Sequence, residues 1–297
     1  MKRFENGSRV TTWFMALVVF ASLAGCGSGD EVLGGRGSGG GPGPAGAAPA
    51  LGAAATFGTF GGSAGMTNTG IQTQIINGDI GTTAVATSSI TGFHDSAGDV
   101  YTEVIGTNVG AVSGKINTCT NSTTGPTSGG PNAASCAIAT QAAADAQAAY
   151  LALVAKPAGP DPGAGNLANL VLAPGVYTSA AGSFMIQGGD LTLDAKGNAN
   201  AVWVFQMATT LLVGGPGATA PQSIILVGGA QAKNVFWQVG SAATINAAGG
   251  GTMVGTIISQ AGAAFSTAGT PTITRLNGRV QSTGASVTLV NTVITVP

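Results

Sequence analysis

The chain has 297 residues, 50 of them Gly, only 7% charged, with a net charge of −1. So weak a field has nothing to steer nucleic acid or anionic lipid, which argues against partners recognised by charge. A Gly-rich chain of this kind can be disordered, but 44% hydrophobic content with strand periodicity points instead to one large β domain over residues 51–297.

At the N-terminus Lys2, Arg3 and Arg9 precede the apolar run Trp13–Ala21, too short to span a bilayer alone, so residues 1–25 read as an export signal. The run closes on Leu23-Ala24-Gly25-Cys26, which resembles the bacterial lipobox. That resemblance implies cleavage before Cys26 and acylation of its thiol, with plain signal cleavage as the alternative. Gly27 in place of Asp implies display on the outer membrane or cell surface, with secretion as the second possibility. Acyl chains buried at about 0.8 kcal/mol per CH₂ make the membrane a partner through a lipid anchor. Residues 26–50, with Gly34–Pro44 at their centre, read as a flexible tether. Their Gly-x-Gly matches have no strand before and no helix after, so they are not phosphate loops.

Leu51–Phe60, Met66–Gly70 and Ile75–Gly81 are short strand-like runs, with a tight turn at Asn77-Gly78 and a corner at Ser88–Gly92. His94, Asp95, Asp99 and Glu103 form the nearest approach to an acidic cluster. A Ca²⁺ site is one reading, but the alternating ligands of a dedicated loop are missing and a solvated loop is the better one. Cys119 and Cys136 bracket a polar loop in an exported chain, and a disulfide between them is expected to contribute about 3 kcal/mol. Two Cys without a neighbouring His leave a metal shell incomplete, so neither metal nor cofactor is expected.

From about 135 to 156 the chain is dense in helix formers and free of Gly and Pro, with Asn132 or Ser135 as cap and Pro157 beyond the end. Ile138, Ala142, Ala146, Ala149 and Leu153 share one side, so the helix is expected to lie along the β domain and cover one face. Leu167–Tyr177, Leu191–Asn198 and Ala201–Gln206 then return to strand patterns, Thr192 pointing outward. Over Ala201–Pro297 three successive coils each give three short Val/Ile/Thr runs parted by small residues. Strands this short bury a core only by stacking, which predicts a β-solenoid of roughly triangular section. Ala243, Ile245, Ala263, Phe265, Val287 and Leu289 fill its interior, while Thr244, Ala264 and Thr288 form an outward row.

Leu172–Tyr177, Leu191–Ala195, Ala201–Gln206, Asn234–Ser241, Leu276–Arg279 and Thr292–Pro297 together resemble the microbial ice-binding protein domain. The resemblance implies a discontinuous right-handed β-solenoid with a flanking α-helix, and adsorption to the surface of an ice crystal through one flat face. Thr267-Ala-Gly-Thr270 fits the Thr-Ala/Gly-x-Thr/Asn motif of some active members; Ser241–Thr244 and Thr283–Ser286 are near matches. The residues expected on that face are Thr192, Thr244, Asn246, Ser266, Thr267, Thr270 and Thr288, with Ala264 and Val290 interrupting the row. Ice offers no charge or pocket, so a binder needs many weak contacts on a rigid plane. Thr supplies a methyl, a hydroxyl and a stiff χ1.

Solenoids also host enzymes that work with carboxylates in a groove, but the acids here are scattered, His94 stands alone and no Gly-x-Ser-x-Gly elbow exists. An adhesin is the alternative function: Trp203, Trp237 and Tyr177, if exposed, would stack on sugars. The reading favoured is a non-catalytic, monomeric ice-binding protein.

Overall fold

The computed structural model describes residues 42–215 and 221–297; the segment read as an export signal, Cys26 and most of the expected tether lie outside them. Parallel strands wind into coils, each coil laying one strand on each of three sides. The first side carries Gly175–Thr178, Trp203–Met207, Val235–Val239, the second halves of Thr252–Ser259 and Thr274–Ser282, then Phe57–Gly61, Asp79–Thr82 and Ile116–Thr118. The second is a 7-stranded sheet running from Phe184–Ile186 through Leu211–Val213, Ala243–Ile245, Ala263–Phe265, Val287–Leu289 and Met66–Asn68 to Ile90–Thr91. The third begins with Val171–Leu172, Leu191–Asp194 and Ile224–Val227 and continues through the first halves of the two long strands.

The coils do not follow chain order. Phe57–Gly61 pairs with Thr274–Ser282, Met66–Asn68 with Val287–Leu289, and Thr73–Ile76 with Thr292–Thr295. The N-terminal coils therefore stack on the last C-terminal one, and the chain must cross the molecule between them. Helix α1, Ala133–Val154, makes that crossing. Its 22 residues extend about 33 Å at 1.5 Å each, the same as eight strands spaced about 4.8 Å apart. The match lets α1 cover the first side from end to end.

Asn132 caps α1, accepting from the Ala134 and Ser135 amides. Ala139, Ala142 and Ala146 pack on Phe57 and Phe60, while Ala149, Tyr150 and Leu153 pack on Val176, Val204, Phe236 and Ile258. Sheet amides fix the far end: Gln206 Nε2 donates to the Leu153 and Lys156 carbonyls, and Gln238 Nε2 to Tyr150 Oη. A disulfide joins Cys119 to Cys136 and ties the first turn of α1 to the neighbouring strand.

Two expectations need correction. Ile138 is not part of the covering stripe: it is 46% exposed, and Ala139, fully buried, takes its place because only a methyl fits where helix and sheet approach so closely. The tether does not run to residue 50. Ala45 is buried against Ala149, Tyr150 and Leu153, and Lys156 Nζ donates to the Ala45 and Ala47 carbonyls. A cation beyond the helix end thus holds residues that Gly/Pro content alone assigned to a linker.

The interior is as expected. Ala243, Ile245, Ala263, Phe265, Val287 and Leu289 are all buried. Trp203 and Trp237 point inward and are fully buried, their indoles donating to the Leu172 and Val254 carbonyls. Tyr177, Phe205 and Trp237 stack up the axis with ring centroids 5.5 and 4.0 Å apart.

Candidate functional site

The three sides differ in what they present. Helix α1 covers the first. On the third, Thr252, Arg275, Val293, Gln74, Ala111 and His94 lie in register, so a guanidinium, an imidazole and a long amide stand in its row, and farther along Val171 and Ile225 are 68% and 44% exposed. Among the described residues, only the 7-stranded side is both uncovered and uncharged.

Its strands alternate so that the middle residue of each triplet faces out. Pairing places Met185, Leu212, Thr244, Ala264, Thr288, Thr67 and Thr91 in one straight row. Consecutive members are about 4.7–4.9 Å apart, the spacing of hydrogen-bonded strands. The residues two positions earlier, Ser183, Thr210, Ala242, Gly262, Ser286, Gly65 and Ser89, are all small. Five of the seven row members carry nothing larger than Thr, and the flanking column adds only methyl, hydroxyl or hydrogen.

Of the residues expected here from sequence, Thr244 and Thr288 stand in the row. Thr192 does not: it pairs with Val171 and Ile225 on the third side. Leu-Thr-Leu alternates alike on any side, and only the connections decide which side a strand occupies. Asn246 and Ser266 also leave the face. Both sit at the following corner with left-handed φ of 46° and 63° and are buried. Asn246 Oδ1 accepts the Gln222 amide, and its Nδ2 donates to the Gln222 and Gly250 carbonyls, so its polar atoms stitch coils together. Thr267–Thr270 forms the turn beyond Ala263–Phe265, with Thr267 exposed and the Thr270 carbonyl accepting from Asn291 Nδ2. Val290 is buried and does not interrupt the row.

Thr67 and Thr91 escaped the sequence reading. Met66-Thr67-Asn68 has the same in–out–in form as Val287-Thr288-Leu289, but nothing local says that a segment so early in the chain stacks on so late a coil.

The acidic cluster has a different task. His94 Nδ1 lies 2.7 Å from Glu103 Oε1. Asp95 accepts the Ala97, Asp99 and Ile116 amides, and Asp99 accepts from Ser122 and twice from Thr127. These bonds fold a cap over the end coil, where the antiparallel pair Phe93–Asp95 and Val100–Tyr101 blunts a sheet edge. Burial among these groups pushes the Tyr101 phenol up to about 12, a Thr127 hydrogen bond lowering it and the Asp99 and Asp95 charges raising it. Among the described residues no three His, Cys, Asp or Glu are grouped to hold a metal.

A stacked solenoid with a helix along one side and a flat, uncharged second side defines a domain of the ice-binding-like class. The model of the Ice-binding-like family matches residues 60–295, and the chain belongs to that family. It is 32% identical over 204 residues to Ice-binding protein 1 of Shewanella frigidimarina, covering 64% of this chain and 20% of that one. It is 33% identical over 195 residues to an ice-binding protein of Nostoc, covering 66% and 56%. The chain thus spans less than two thirds of the length of these two relatives. Among solved structures, it is similar to the ice-binding protein of the Antarctic ascomycete Antarctomyces psychrotrophicus, with a TM-score of 0.62 and 31% identity over 84% of this chain and 98% of that one. An ice-binding protein from an Arctic yeast gives a TM-score of 0.64 at 26% identity, over 84% and 94%.

Proposed function

We propose that this chain adsorbs to ice through the 7-stranded side and thereby limits crystal growth or recrystallisation. The observation that carries the reading is the in-register row of short side chains on the one side that, among the described residues, neither α1 nor a charge occupies. Thr methyls order water as a cage and Thr hydroxyls hold that cage to the protein. The stacked backbone keeps the array still, so little entropy is lost on contact. Thr244 and Thr288 lie within the contact, with Thr267 and Thr270 at its border. Binding rather than catalysis is favoured because Asp95, Asp99 and Glu103 spend their acceptors on the cap. The adhesin reading loses its basis with Trp203 and Trp237 sealed inside.

The test is direct. Purified protein should facet growing ice crystals and arrest recrystallisation. Replacing Thr244 or Thr288 by Tyr should raise the concentration needed about tenfold, roughly 1.4 kcal/mol, without lowering Tm. Disc-shaped crystals at saturating protein would refute the proposal.

The same reading includes display as a monomeric lipoprotein: cleavage before Cys26, acylation, and the domain held outside the cell through a shortened tether. The lipobox-like Leu23–Cys26 supports it, as does the Cys119–Cys136 bond, which suits an oxidising compartment. Cys26→Ala should move the protein from the membrane fraction to the soluble one; unchanged partitioning would remove the anchor from the proposal.

A further inference from the structure

Resting on the 7-stranded side as the adsorbing face, we infer that ice contact is confined to five of its coils, from Thr244 to Thr91. The coils carrying Met185 and Leu212 stand outside it, and the N-terminal segment supplies two of its threonines.

One observation concerns shape. Thr244, Ala264, Thr288, Thr67 and Thr91 end at the β or γ atom and share a level. Met185 and Leu212 rise above it, and Met in particular moves through three rotatable bonds. A rigid lattice cannot touch both levels at once.

The other concerns hydroxyls. Beside Met185 and Leu212, Ser183 Oγ lies 2.6 Å from Thr209 Oγ1 and 3.0 Å from Thr210 Oγ1, while Thr209 also donates to the Gly182 carbonyl at 2.8 Å. These groups satisfy one another. The hydroxyls of Thr244, Thr288 and Thr67 have no protein partner among the described residues, so their proton and lone pairs are left for water, while Thr91 Oγ1 donates to the Ser88 carbonyl at 3.3 Å and keeps its lone pairs for water. An anchored water layer therefore forms at one end of the face and not at the other.

Where the N-terminal coils meet the last C-terminal one, three side-chain contacts reinforce the register of the paired strands. Gln281 Nε2 donates to the Ala54 carbonyl and Arg279 Nε to the Ala55 carbonyl, each at 2.6 Å, and Ser63 Oγ donates to the Gly284 carbonyl at 3.1 Å. They place Thr67 directly beside Thr288 and Thr91 beside Thr67.

The experiment compares Thr67→Tyr, Thr91→Tyr, Met185→Tyr and Leu212→Tyr in the full chain, with Tm recorded for each. Thr67→Val and Thr91→Val serve where the larger residue disturbs folding. Thr67→Tyr and Thr91→Tyr should each raise the concentration that halts recrystallisation about tenfold, and Met185→Tyr and Leu212→Tyr less than about twofold. The Val variants should move it in the same direction by a smaller factor. Equal losses from all four Tyr variants would extend the contact over seven coils and overturn the confinement while leaving the face itself in place. Unchanged activity in the Thr67 and Thr91 variants, with Thr244→Tyr still weakened, would overturn the share given to the N-terminal segment. An unmodified chain that leaves ice unshaped would remove the adsorbing face altogether.

Discussion

Asn246 shows how one side chain can look like part of a surface and belong to the frame. Its φ of 46° is a conformation Asn tolerates better than most residues, and its three hydrogen bonds join the corner to Gln222 and Gly250. Asn246→Ala leaves buried partners unsatisfied and keeps a backbone that Ala resists. The expected loss is roughly 2–4 kcal/mol of stability, read as a drop in the urea midpoint, with ice shaping intact wherever the protein remains folded. Lost ice activity at unchanged stability would return Asn246 to the contact. In the sequence Thr244 and Thr288 read as outward because strand alternation is local, whereas a left-handed corner breaks that alternation at Asn246 and Ser266; Asn at 246 is compatible with such a corner, but Ser266 gives no sign of it.

Among the elements, α1 was the most legible, because uninterrupted helix formers between Asn132 and Pro157 leave little else to form. Its covering stripe was read with one error, at Ile138, since periodicity gives a direction but not the closeness of approach. The long strands Thr252–Ser259 and Thr274–Ser282 were harder. By residue pattern Thr252–Val254 and Gly255–Gln260 are separate runs, as are Thr272–Thr274 and Gly278–Gln281, yet each long strand passes from the third side to the first without leaving the ladder. Gly255 makes this possible: with φ of 100°, it lies where an added Cβ would sit 2.5 Å from the Val235 carbonyl oxygen. Thr192 was assigned to the wrong side for a related reason, because a coil's three strands carry the same in-and-out code.

For the whole molecule, the three sides divide the work: one is covered, one is charged, and one is left bare. Both ends hold a buried tyrosine whose ionisation opposes folding. Tyr101 in the cap and Tyr177 in the aromatic stack, its hydroxyl donating to the Ala173 carbonyl, are each raised from 10.0 to about 12, burial being the main cause. A raised phenol pKa adds stability that is complete below the unfolded value near 10 and is lost as pH climbs through the folded one. The Tm should hold steady up to about pH 10 and fall between there and about pH 12, alongside a late phenolate absorbance change. A Tm independent of pH across that interval would show that neither phenol is sealed in solution. Coil geometry, core and helix were visible in sequence; the stacking order was not, because it is a relation between segments far apart.

That relation bears on how the protein is made. Ser63 meets Gly284 across 221 positions of sequence, so a nascent chain holds half of its threonine row for most of synthesis with nothing to dock it on. Such distant pairing is slow to nucleate, because a very large loop must close before any contact rewards it. A polypeptide that postpones its final closure in this way stays pliable until its last coils are made, and becomes rigid only when its two halves meet.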